Sequence, residues 1–440
     1  MFNMKVLIYT DNITPRVEYI FKWCFEYFFS SQVLFTKSTD EFEKTEGIDE
    51  RINYSNKNLK NCITFHPANL LFEDDIKNQI LDLSLYNGLP ILFPCAEGGE
   101  LPFDPFSAAF YLISRYEEYL PFETDKHGRF EAHNSFLFNT PFLDIPIADH
   151  YILLIEKIIK EKGNAKLNIK KKYTFIPTID IDIAFAYRGR NFIRHMGGII
   201  KSIFTGKILD VFERLSVITG YKDDPYDTYL YMRKIHKPLS HPPIFFINMG
   251  DYTIYDKNIP YNKKLLPSLI GKLAQFGSIG IHPSYFSVEE PTIYDEEIYN
   301  LQIITGWRIT KSRQHYLRLF LPETYNYVIR ASLEEDYTMG YAEKPGFRAS
   351  TAHPFKFYNL EKEETKKLTI FPFCIMDGTL KDYMKLTPEE SMQVIDKIND
   401  EVRKVNGYFI SLWHNESLSE YKRWRGWRAV YEHLIEKASN

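Results

Sequence analysis

Residues 173–187, YTFIPTIDIDIAFAY, decide the fold. The run of β-branched and aromatic residues reads as a buried strand, yet it carries Asp180 and Asp182 two positions apart. Successive side chains along a strand point to opposite faces, so the two carboxylates share one face and Ile179, Ile181 and Ile183 share the other. Crowded carboxylates repel, and a buried pair needs a cation, a shared proton or strong donors. Either the strand ends here and both acids reach water or cap the next loop, or the pair belongs to a metal or catalytic site.

Outward from this segment, strands and helices alternate. A helical stretch runs to about Tyr231, followed by strand PIFFINMG (243–250), helix LLPSLIGKLAQFG (265–277), strand SIGIH (278–282) and helix EEIYNLQIITGWRI (296–309). A short strand is expected around RQHYLRL (313–319), then helix PETYNYVIRASLEE (322–335) and the short strands or loops DYTMGY, GFRAST and LTIFPFCIMD. Helix TPEESMQVIDKINDEVRKV (387–405) and strand GYFISLWH (407–414) close the series. Such alternation predicts a parallel sheet, closed or nearly closed into a barrel. Pro177, which cannot donate a ladder hydrogen bond, favours an irregular one.

Upstream, residues 1–165 form a separate mixed α/β block, with residues 166–440 as the second domain. KVLIYT, VLFTK and PILFPC read as short buried strands, and VEYIFKWCFEYFF as a helix. In FDPFSAAFYLISRYEEYL (103–120), Asp104 can cap, Pro105 suits the first helical position, and Phe106, Phe110 and Ile113 recur at helical spacing. Its Arg115, Glu117 and Glu118 are expected on a solvated face. The basic run EKIIKEKGNAKLNIKKKY (156–173) marks the end of a helix and a linker.

The 440 residues, 44% hydrophobic and 25% charged, suit two globular domains. A formal charge of −4 calls for neither nucleic acid nor an anionic membrane as partner. Cys24, Cys62, Cys95 and Cys374 are far apart, which argues against a disulfide framework or a cysteine zinc site. No stretch approaches the ~18 apolar residues of a membrane span, and the N-terminus reads as a strand rather than a secretory signal, so a cytoplasmic location is expected. With 31 Tyr and 34 Phe, aromatic faces are plentiful for cores or for sugar binding.

In parallel α/β barrels, reactive side chains gather at the C-terminal ends of strands. Asp180 and Asp182 close the first strand, His282 closes SIGIH with Gly280 on the same face, His315 lies beside Arg313, Asp377 follows IFPFCIM, and His414 ends GYFISLWH. Singly, each has a plain structural reading: a satisfied histidine, a salt-bridged Arg313 or Arg348, a turn at Asp377-Gly378. Together they would present carboxylates and imidazoles to one rim. His353, in STAHPF, is either a loop residue or an alternative ligand.

The ordered set T-x-D-x-D, G-x-HPSY, R-x-H, D-x-x-x-GY, GFR, MD and LWHN resembles the polysaccharide deacetylase superfamily (NodB homology, carbohydrate esterase family 4), in particular a bacterial branch with an extra N-terminal domain. The resemblance covers about residues 173–435, and FDPFSAAFYLISRYEEYL resembles that N-terminal domain. It implies a distorted (β/α) barrel preceded by a smaller mixed α/β domain. It also implies a divalent metal, zinc in the first place with cobalt or nickel as substitutes, and an acetylated glycan substrate. By the same resemblance Asp180 corresponds to the catalytic base, Asp182 and His282 to metal ligands and His414 to the general acid. Arg313 stands near the place of a supporting arginine, and Asp377 or Arg313 would orient the base and acid. The family's second metal histidine, four residues after the first, is here Phe286; either His315 completes the metal triad in its place, the reading adopted, with His353 as the alternative ligand, or the metal is weakly held or lost. The implied activity is hydrolysis of N- or O-acetyl groups. The alternatives are a non-catalytic glycan-binding or assembly protein, favoured by Phe286, and a different metal hydrolase using the same rim.

Overall fold

The computed structural model describes residues 4–95, 97–165 and 167–439, so Lys166, at the expected domain boundary, lies outside the described residues. The N-terminal apolar runs become β1 (Lys5–Thr10), β2 (Gln32–Thr36), β3 (Glu50–Tyr54) and β4 (Ile63–Thr64), a parallel sheet in the order β2-β1-β3-β4. PILFPC contributes instead to an antiparallel hairpin of β5 (Asp82–Tyr86) and β6 (Leu89–Leu92). Its two-residue turn, Asn87-Gly88, has positive φ at both positions, the backbone twist such a hairpin demands.

The helix Pro105–Ile113 starts as expected, with Asp104 Oδ1 accepting from the backbone N–H groups of Phe106 and Ser107. It stops short of Leu120 because Arg115 turns left-handed, at φ 56°. The solvated face expected for Arg115, Glu117 and Glu118 is instead buried. Arg115 donates to Glu118 Oε1 and Glu117 Oε1, each at 2.7 Å, while Arg348 from the distant GFR segment places Nη2 2.6 Å from Glu118 Oε2. Burial pushes the Glu118 carboxyl up, but Arg348 and Arg115 outweigh it and hold it below its ordinary value. An acid between two guanidiniums is stable in the interior only while both charge signs are present.

The large sheet has nine strands: β7 (Thr174–Ile181), β8 (Ile244–Asn248), β9 (Ser278–His282), β10 (Lys311–Ser312), β11 (Glu335–Asp336), β12 (Phe355–Asn359), β13 (Glu364–Ile370), β14 (Ile375–Met376) and β15 (Tyr408–His414). Their order is β12-β13-β11-β10-β9-β8-β7-β15-β14, and every pair is parallel except β12 with β13. The expected barrel is thus an open strand order: among the described residues no ladder closes β14 onto β12. Ahead of β14, Phe373 N–H donates to Met339 O (3.0 Å), beyond the end of β11, and Cys374 N–H to Ile410 O (3.1 Å) extends the β14–β15 pairing. The strand expected around RQHYLRL shrinks to two residues, after which Tyr316 and Leu317 both take positive φ.

Alternation along β7 assigns its faces. Phe175, Ile179 and Ile181 join the main hydrophobic core, whereas Ile176 packs on a smaller core of Ile244, Phe246, Phe373, Ile410 and Leu412, the face that Asp180 shares. The main core also contains Ile8, Phe106 and Phe110, so apolar packing runs from the N-terminal block into the large sheet. Arg16, fully buried, reaches Glu363 at 2.6 Å, and the Tyr19 hydroxyl donates to Lys356 O. His353 belongs to this seam and not to the rim. It packs against Phe28 and against Tyr408, at the opposite end of β15 from His414, with Nδ1 3.2 Å from the Tyr27 hydroxyl and Nε2 3.1 Å from Val405 O.

Two consequences are measurable. Glu118→Ala leaves Arg348 without an ion-pair partner in the interior and Arg115 with Glu117 alone, and is expected to lower the unfolding free energy by roughly 3–5 kcal/mol in urea titrations. A loss under about 1 kcal/mol, the scale of a surface pair, contradicts the buried network. Burial pushes His353 down to about 3, below the ~6.5 of an unfolded chain. The unfolded chain therefore binds the proton first, and stability is full above ~6.5 and falls as pH drops toward ~3. The stability gap between wild type and His353→Gln should narrow as pH is lowered through that window; a pH-independent gap contradicts a buried neutral imidazole.

Candidate metal centre

Because β7, β8, β9 and β15 run parallel, their C-terminal ends meet at one edge of the sheet. Register pairs Asp180 with His414 on one side and Phe246 on the other, and pairs Asn248 with His282. Asp182 sits one residue past the end of β7. Gly280 is required beneath His282, since a Cβ there would lie 2.6 Å from the Phe246 ring. The room that glycine leaves is filled by Phe246, over which the Arg313 guanidinium rests with Cζ 4.6 Å from the ring centroid.

The edge brings together Asp180, Asp182, His282, Arg313, His315, Asp377 and His414, but neither His353 nor Arg348. Asp182 Oδ1 lies 3.1 Å from His282 Nε2, and Asp182 Oδ2 lies 3.4 Å from His315 Nε2 and 3.5 Å from His414 Nε2. Asp180 Oδ2 is 3.6 Å from His282 Nε2, while Asp180 Oδ1 accepts from Arg313 Nη1 at 2.9 Å. Arg313 Nη1 also donates to Thr178 Oγ1 and Nε to Tyr337 O. Asp377 accepts from the His414 backbone N–H and from Gly378 N–H, and its Oδ1 lies 2.8 Å from His414 Nδ1. The loop residue after β9 that stands in place of a second histidine, Phe286, packs instead on Tyr255 and Tyr285.

All three histidines are held in the same sense. Nδ1 of His282 faces Arg313 O (2.5 Å), Nδ1 of His315 faces Asp256 Oδ1 (2.8 Å), and Nδ1 of His414 faces Asp377. Each partner only accepts, so each Nδ1 carries the hydrogen and each Nε2 is turned toward the others. Asp182, His282 and His315 offer one ligand atom apiece, all within 4.8 Å of one another. Asp182 Oδ1 is shielded from water and accepts no well-formed hydrogen bond. One carboxylate and two imidazoles with an unsatisfied oxygen fit a divalent ion that keeps open positions.

The electrostatics match this arrangement. Burial pushes the Asp182 carboxyl up, yet His315 and His282 overcome it and hold it well below the usual carboxylate range. Burial disfavours a charged His315, but Asp182 and then Asp256 raise it to about 9. For His414, burial is likewise outweighed by Asp377, Asp182 and Asp180, which raise it well above an ordinary imidazole.

The edge opens into a cavity of about 320 Å³ lined by Asp180, Asp182, His282, His315 and His414 and by Tyr255, Tyr316, Tyr383, Arg129 and Glu416. Sequence reasoning missed Asp256, Arg129 and Glu416. Asp256 lies eight residues beyond the end of β8, in an irregular loop that the strand-end rule does not reach. Arg129 belongs to the N-terminal block, where no chemistry was expected. It pairs with Asp125 at 2.6 Å and donates to Tyr316 O, bracing the turn that carries His315.

Residues 6–164 match a family described as "Family of unknown function (DUF7033)". No curated protein matches the chain. Among solved structures, a Mycobacterium smegmatis protein assigned as a polysaccharide deacetylase aligns with 12% identity and a TM-score of 0.39, over 62% of this chain and 86% of its own. Agd3, described as a novel carbohydrate deacetylase, aligns with 6% identity and a TM-score of 0.33, over 67% of this chain and 54% of its own. Likeness at this level bears on neither mechanism nor substrate.

Proposed function

We propose that this chain is a metal-dependent hydrolase that removes acetyl groups from an acetylated polysaccharide, with Asp182, His282 and His315 as the ligands and Asp180 and His414 as base and acid. The observation that carries the reading is the meeting of one carboxylate and two Nε2-presenting imidazoles beside a second carboxylate and a third imidazole. The ordered motifs that resemble those of the deacetylase superfamily support it independently. His315 would do the work of the histidine that Phe286 replaces.

A divalent ion held by these three residues supplies Lewis acidity toward an acetyl carbonyl. Asp180 is fixed through Oδ1 by Arg313, which leaves Oδ2 to take a proton from the attacking water. His414, oriented by Asp377 and raised toward its protonated form, gives a proton to the leaving amine or alkoxide. Asp256 keeps His315 Nε2 facing inward. Tyr255, Tyr316 and Tyr383 on the cavity wall present aromatic faces on which a sugar ring can pack.

The test uses metal analysis and acetate release from N-acetylhexosamine oligomers and O-acetylated glycans. Wild type is expected to retain a divalent metal and release acetate, and chelation to abolish release. Asp182→Ala and His315→Ala should lose the metal, whereas Asp180→Asn should keep it and release acetate about 10²–10⁴-fold more slowly. Metal retained in both ligand variants overturns the triad.

A further inference from the structure

Two helices following β7, Phe192–Phe204 and Ile208–Ile218, form a hairpin that leaves its apolar side uncovered. The first buries none of its residues. Phe192, Ile193, Met196, Ile200, Ile203 and Phe204 fall within roughly a third of its circumference at ~100° per residue. Exposure reaches 76% at Phe192, 87% at Phe204 and, on the second helix, 81% at Leu209 and 63% at Phe212. The hairpin is nonetheless a packed unit, because Gly198 lies so close to the Arg214 guanidinium that a Cβ there would clash with it.

Its charge is one-sided. Residues 183–209 contain Arg188, Arg190, Arg194, Lys201 and Lys207 and no acid. The acids of the second helix are already paired, Asp210 with Lys422 (2.9 Å) and Glu213 with Lys222 (2.8 Å). Lys201 and Lys207 make no ion pair among the described residues. Arg214, 8% exposed, leaves Nε and Nη1 without hydrogen-bond partners, as do Arg190 at Nε and His195 at Nδ1. Asp224 is occupied by the backbone N–H groups of Ala186, Tyr187 and Arg188.

We propose that this hairpin docks on an anionic phospholipid surface, its apolar stripe buried among acyl chains and its lysines against the headgroups. An amphipathic helix with a cationic polar side has this partner chemistry. A second copy of the chain would offer this hairpin the same excess of positive charge and no free acid of its own hairpin. Neither helix is long enough to cross a bilayer. The hairpin also touches the cavity wall: Arg194 donates to Lys257 O (2.8 Å) and Asn258 O (3.1 Å), and Lys257 lines the cavity. Docking would therefore hold the rim beside the membrane.

The full-length protein is sedimented with phosphatidylcholine vesicles, with and without phosphatidylglycerol, and sized by light scattering. Wild type should pellet with the phosphatidylglycerol vesicles. Phe204→Ser with Leu209→Ser should stay in the supernatant while keeping the wild-type circular dichroism spectrum. Lys201→Gln and Lys207→Gln should each weaken binding to the anionic vesicles about fivefold. The proposal is overturned if wild type ignores those vesicles or if the serine pair pellets like wild type. A dimer that the serine pair dissociates, without vesicle binding, makes a second copy the occupant and also overturns it.

Discussion

The repulsion between two carboxylates at the end of one strand is the constraint to which the rest of the molecule answers. Asp180 is neutralised from below by Arg313, a guanidinium that is itself buried and propped on Phe246. Asp182 is surrounded by three imidazoles whose far nitrogens are pinned by a carbonyl and two further carboxylates. Alternating charge in a shell of this kind lets a dry site carry several acids without collapsing or flooding. It also leaves one oxygen, Asp182 Oδ1, without a well-formed hydrogen bond.

Much of this architecture was legible in the sequence because local pattern and global fold agree. Period-two and continuous apolar runs at 174–181, 278–282 and 408–414 are strands, and the capping residue Asp104 stands where its helix begins. Reading failed where tertiary contact overrides local preference. Arg115, Glu117 and Glu118 look like a wet helical face until Arg348, more than two hundred residues away, is folded against them. The segment at 313–319 looks like a strand but turns sharply, bracing His315 with bonds to Asp256 and, through Tyr316, to Arg129.

The candidate site divides in the same way. Residue types at strand ends named Asp180, Asp182, His282, His315, Asp377 and His414, because parallel strands send their ends to one edge whatever the intervening chain does. Of the groups that orient them, Asp377 stood at a strand end and was legible, whereas a backbone carbonyl has no signature and Asp256 and Arg129 lie in irregular loops. His315, chosen from the sequence as the third ligand, faces Asp182, whereas the alternative His353 is sealed among Tyr27, Phe28 and Val405. Likewise, a whole-chain charge of −4 concealed a hairpin that is locally cationic.

The account rests on a cation gripped by side chains from three separate strand ends. Anomalous diffraction from crystals of the zinc-loaded protein tests it most directly. The account predicts a peak about 2.0–2.2 Å from Asp182 and from the Nε2 atoms of His282 and His315, with no sulfur nearby. A peak elsewhere, or featureless density at that edge under zinc, contradicts it.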